Sequence, residues 1–159
     1  MKAVLVTSIL FCNFGLLPYL CKTFNEVSNL ENKSELNIQA AKKLIEENLY
    51  APSVHCSYYS CFQLLKFKMN DFFGLSYEQL GANTSSSPKG THGYIIDYVK
   101  NQLRNNIDRD SSLNFSRQIK DLKLYREKSD YEDIEIRKDD SDKAYRTAEN
   151  LLKFIKETF

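Results

Sequence analysis

The chain has 159 residues, 42% apolar, 13% aromatic and 27% charged, a size that holds one ordinary domain and a composition that excludes a wholly disordered protein. Five Gly and three Pro are too few for the many turns of a β-sandwich or for a glycine-cradled nucleotide loop, so an all-α fold is favoured. Twenty-two Lys and Arg nearly balance 21 Asp and Glu, and the formal charge of +1 gives no global field toward nucleic acid or anionic lipid, so any such binding must be local.

Residues 1–33 read as an apolar extension and linker. Lys2 precedes a run from Ala3 to Cys12 that is nearly all apolar, and Asn13, Gly15 and Pro18 follow. As a secretory signal the segment lacks small residues ahead of Cys21, where Pro18, Tyr19 and Leu20 stand; as a membrane span it is interrupted short of the ~20 apolar residues required. Export or membrane contact, an accessory helix on the body, and an extension absent from the functional product stay open as its roles. The polar stretch Asn25–Ser34 leads into the main domain. Cys12, Cys21, Cys56 and Cys61 lack the CxxC spacing of a zinc site and are too sparse for a disulfide scaffold. Free, packed thiols point to a reducing, cytoplasmic setting, and no metal or cofactor is expected.

Residues 34–159 read as an up-and-down bundle of four to five helices. Ser34 is the expected N-cap of the first, whose stripe is Ala41, Leu44, Ile45 and Leu49. Pro52 opens the second, which carries Val54, Tyr58, Cys61, Phe62, Leu65, Met69 and Phe72, broadened by Tyr59 and Phe73, and which should be the most buried. Gly81–Gly93 (GANTSSSPKGTHG) reads as a loop, either a plain helix connection or a functional loop presenting Lys89 and His92 to a ligand. Ile95, Ile96, Val99 and Leu103 mark the third helix, and Phe115, Ile119 and Leu122 the fourth. Arg126 occupies the next position on that fourth stripe, so an arginine faces the core. The last helix opens near Asp139–Ser141 and runs through Ala144, Ala148, Leu151, Leu152, Ile155 and Phe159.

The constellation with chemical content is Arg126, Glu127, Asp130, Tyr131 and Asp133. Arg126 and Asp130 are i, i+4 neighbours and can pair. A guanidinium offers a planar fork for phosphate, Tyr131 supplies a hydroxyl, and Asp130 can orient the arginine; the bland alternative is a self-satisfied ion pair at a bundle end. His55 and His92 are read as structural or exposed, because no spacing couples either to Arg126. The scattered tyrosines, Tyr58 and Tyr59 among them, are read chiefly as packing residues.

Three stretches, Ala40–Lys66, Ser87–Val99 and LYREKSDYED with the helix after it (Leu124–Phe159), resemble the HEPN family of small all-α proteins. The resemblance implies a homodimer whose two arginine motifs flank a shared cleft that, in many members, binds or cuts RNA without metal. Arg126 and Glu127 match the start of that motif, but the window after it holds Tyr131, Glu132 and Asp133 and no His. The form resembles a branch in which Asp and Tyr replace the His and whose members accompany a small nucleotidyltransferase in toxin and antitoxin pairs. Three functions are therefore weighed. The first is a dimeric module binding RNA or nucleotide phosphates through Arg126, Asp130 and Tyr131, with Glu127, Lys89 and His92 as weaker contributors. The second is a metal-independent endoribonuclease, and the third a non-catalytic partner-binding bundle.

Overall fold

The computed structural model describes residues 28–159, so the expectations for residues 1–27 lie outside the described residues. Six helices follow one another: α1 (Asn29–Glu46), α2 (Tyr50–Asp71), α3 (Tyr77–Ser85), α4 (Gly90–Asn106), α5 (Arg109–Tyr131) and α6 (Lys138–Thr158). The fold is all-helical among the described residues, as composition implied, with one helix more than the four to five expected.

The extra helix is α3. Gly81–Ser85 was expected to be loop, yet it forms the second half of this element, and only Ser86–Lys89 separates α3 from α4. Glycine and small polar residues are poor helix formers, but Ser76 and Gln79 close a reciprocal capping box and Leu80 is buried. Those two anchors outweigh the weak propensity. Gly90, with φ +62, then takes the left-handed turn that starts α4.

The start of α1 also differs. Ser28, not Ser34, is its N-cap, its hydroxyl accepting from Leu30 N–H. Ser34 is buried inside the helix and donates to the Ser60 carbonyl on α2 at 2.7 Å. The Ser53 hydroxyl makes the equivalent bond to the Ala41 carbonyl at 2.9 Å. Such short side chains let two helix backbones approach closely. On the other side of α2 the Cys61 thiol donates to the Ala148 carbonyl at 3.5 Å, bringing α6 in by the same device.

α2 is accordingly the central helix, packed against α1, α4, α5 and α6. Its expected stripe is buried from Val54 to Met69, whereas Phe72 lies beyond the helix end and is exposed. The turn from α1 into α2 uses Asn48 at φ 61, a conformation that Asn tolerates better than most side chains. Ile95, Ile96, Val99 and Leu103 of α4, Phe115, Ile119 and Leu122 of α5, and Ala144, Ala148, Leu151 and Ile155 of α6 complete one core cluster. Among the described residues no helix is long and apolar enough to cross a membrane.

Candidate phosphate site around Arg126

α5 continues the core stripe of Phe115, Ile119 and Leu122 into Arg126, which is only 8% exposed. A guanidinium cannot shed its charge, so withdrawal from water demands polar and aromatic partners. Facing helices supply them. Its Nη2 donates to the Tyr59 hydroxyl of α2 at 2.5 Å. Its Cζ lies 5.2 Å from the Tyr59 ring centre, 5.6 Å from that of Tyr58 and 5.5 Å from that of Tyr131, all within cation–π range. Asp130, one helical turn on, brings Oδ2 to 3.1 Å from Nε. That Nε–H is buried and has no aligned acceptor, so Asp130 balances its charge without completing a hydrogen bond. Burial works against the charge on Arg126, and the Tyr59 hydroxyl bond with the Tyr59, Asp130 and Tyr131 neighbours more than offsets it, raising its pKa.

Both histidines, unconnected to Arg126 by any spacing, are brought to its surroundings. His55 of α2 sets Nδ1 3.0 Å from Asp130 Oδ2 and 3.1 Å from Oδ1. Its ring lies 4.5 Å from that of Tyr59, and its side chain is 45% exposed. His92, on the first turn of α4, stacks on Phe62 at 3.9 Å with the planes 7° apart. The Tyr58 hydroxyl and its Nδ1 are hydrogen-bonded at 2.5 Å. Burial, with the positive charges of Arg126 and Lys123, depresses the His92 pKa to about 4, while burial pushes the Tyr58 hydroxyl above its ordinary value. The pair is therefore a neutral tyrosine and a neutral imidazole joined by one hydrogen bond.

Arg126, Asp130 and Tyr131 thus sit together as the sequence suggested, with Tyr131 offering its ring to the guanidinium while 75% exposed. His92 joins them through Tyr58. Glu127 instead pairs with Lys123 at 2.6 Å. Lys89 pairs with Asp97 and lines a neighbouring groove of about 340 Å³ with Lys120, Lys123 and Glu127. His55, Tyr58 and Tyr59 are the residues that sequence reasoning missed. The available signal was their i, i+3, i+4 spacing, which sets one imidazole and two tyrosines close together on one helix while a core-facing arginine elsewhere required partners. Among the described residues no three His, Cys, Asp or Glu side chains converge as a metal site.

A family model described as HEPN domain matches residues 81–158. The matched stretch contains His92, Arg126, Asp130 and Tyr131, and it supports HEPN kinship. The α2 residues His55, Tyr58 and Tyr59 lie outside it. Comparison with curated proteins and with solved structures found no match.

Two outcomes follow from this geometry. Tyr59→Phe keeps the ring under the guanidinium but removes the acceptor of Nη2, and is expected to cost about 1.5–3 kcal/mol in urea unfolding; a loss below about 0.5 kcal/mol contradicts the assigned bond. For His92, the unfolded chain binds more protons than the native one between about 4 and the ordinary 6.5. Its contribution to stability is fully present above the upper value and is lost as pH falls toward the lower. Proton NMR should find the His92 ring still neutral at about pH 5.5, and a titration at the ordinary histidine value contradicts the buried Tyr58–His92 pair.

Proposed function

We propose that the protein is a HEPN-like module that binds RNA or nucleotide phosphates, with Arg126 as the anion-reading group and Asp130 and Tyr131 as its immediate partners. The observation that carries this reading is the buried Nε–H of Arg126 without an aligned acceptor. A nearly dehydrated guanidinium with an unsatisfied donor can bond a phosphate oxygen, and the charge-assisted bond is strong where water is scarce. Tyr131, exposed at the rim, adds a ring face on which a base can stack.

In this reading the protein works as a homodimer. Leu113, Leu124 and Tyr131 are each about half exposed or more, and at about 100° per residue they fall on one face of α5. A second copy would cover that apolar stripe and bring together the two copies of Tyr131, whose ring lies against Arg126. The role of toxin-like half beside a nucleotidyltransferase belongs to the same proposal, on family resemblance alone.

A second reading, RNA cleavage, is favoured by one observation: the pairing of His55 with Asp130 through Nδ1, which leaves Nε2 open on a half-exposed ring. A neutral His55 so placed can accept the 2′-hydroxyl proton as O2′ bonds to phosphorus. The 5′-oxygen then leaves and is protonated by water, giving a 2′,3′-cyclic phosphate, with Arg126 balancing the phosphorane charge. Tyr131 is the poorer acceptor, since a phenol oxygen is far less basic than an imidazole nitrogen.

Both readings are tested on one preparation in chelator, whose sedimentation at micromolar protein should give a dimer. Single-stranded RNA is expected to bind in a salt-sensitive way. Arg126→Ala should abolish binding, while Tyr131→Phe, which keeps the ring, should weaken it only two- to threefold, roughly 0.5 kcal/mol. Cutting lost equally in Arg126→Ala and His55→Asn would replace the binding reading with the enzyme. No interaction with RNA or nucleotide would leave only a partner-binding bundle.

A further inference from the structure

Asp130 is shared between two cationic partners. Its Oδ2 lies 3.1 Å from Arg126 Nε and 3.0 Å from His55 Nδ1, and its Oδ1 lies 3.1 Å from the same ring nitrogen. The carboxylate side chain is 18% exposed and the arginine side chain 10%. It therefore stands where a ligand oxygen must come to reach the free Nε–H, and it balances the arginine without saturating it. A phosphate approaching Arg126 meets like charge from Asp130, and that repulsion is large where water is scarce.

We infer that Asp130 is a displaceable internal anion, that a bound phosphodiester takes its place on Arg126, and that His55 is the positioning residue that then holds Asp130 as a charged imidazolium. This rests on the reading of Arg126 as the phosphate-binding group. When His55 is neutral it offers Asp130 one N–H and no charge, so Arg126 retains the carboxylate and ligand must compete with it. When His55 is protonated, Asp130 has a full counter-charge of its own and Arg126 is released to the ligand. Bound phosphate in turn favours the imidazolium, so binding takes up a proton and affinity rises as pH falls.

The groups that face His55 are few. α5 contributes Asp130 and, beyond it, Arg126, and α2 itself contributes Tyr59. Among the described residues no charged side chain of α1, α4 or α6 forms a hydrogen bond or ion pair with His55. His92, the only other histidine of the chain, is held by burial and nearby positive charge well below its ordinary value, to about 4, and stays neutral near pH 7. A phosphodiester keeps its single charge across the neutral range, so RNA itself introduces no titration there.

The test uses the full chain, a short single-stranded RNA, and fluorescence anisotropy at constant ionic strength between about pH 6 and 8. Affinity is expected to rise on going down that range, by at most about tenfold per pH unit for one linked proton. His55→Asn retains a neutral donor toward Asp130 and should flatten the profile at the weaker level. His55→Lys carries permanent charge and should flatten it at the tighter level. Calorimetry in two buffers of different ionisation enthalpy reads the proton taken up directly. A flat profile for the unsubstituted protein with RNA bound, or a slope unchanged in His55→Asn, overturns the inference and leaves phosphate binding intact. Absence of RNA binding at every pH overturns the phosphate reading and this inference with it.

Discussion

A permanently charged guanidinium held almost out of water is the constraint around which this bundle is arranged. Stripping an arginine of its hydration costs several kcal/mol unless the surrounding protein replaces it. α5 alone cannot do so, since the only counter-charge it places against the guanidinium is Asp130, and the Arg126 Nε–H is not aligned with it. The remaining partners come from α2, which presents Tyr58 and Tyr59, and from α4, whose His92 anchors Tyr58 from behind. Close seating of α2 between α1 and α6 makes that presentation rigid. Small residues at Ser34, Ser53 and Cys61, each bonded to a carbonyl on the neighbouring helix, hold the backbone in place.

Periodicity made much of this bundle legible. The stripes on α4 and α5 are buried where they were expected, as are those on α2 up to Met69 and on α6 up to Ile155, and Arg126 falls on the core face because its register is that of Phe115, Ile119 and Leu122. α3 was not legible from composition, because Gly81, Asn83 and Thr84 argue against a helix one residue at a time. Its capping box is a four-residue signal that averaging over the segment hides. The Arg126–Asp130 pair could be read because it is local to one helix. His55 and Tyr59 could not, because they are 75 and 67 residues from the partners they meet. Periodicity states which face of a helix is buried; it does not state which residue of another helix stands opposite.

In the proposed reading, the protonation state of His55 links binding and cleavage at this site. An imidazolium that holds Asp130 away from Arg126 has no lone pair, so the state that binds phosphate best is the state that cannot accept a proton from a 2′-hydroxyl. A neutral His55 could accept it, but then Asp130 stays on the arginine and competes with substrate. Both arrangements use the same three side chains, and their opposition favours a module that binds RNA over one that turns it over. His92 does not relieve the conflict, because its Nδ1 is already bonded to the Tyr58 hydroxyl.

The central claim is that the buried, unaligned Nε–H of Arg126 is the donor that meets phosphate. The most direct measurement is a pair of ¹⁵N–¹H spectra, of the arginine and of the lysine side chains, recorded as single-stranded RNA is added. The account predicts that the Arg126 Nε–H resonance moves downfield on binding and shows a through-bond coupling to ³¹P, as an aligned hydrogen bond to a phosphate oxygen requires. An Arg126 resonance that stays in place while RNA binds, with the shifts confined to lysines of the Lys89, Lys120 and Lys123 groove, would contradict it.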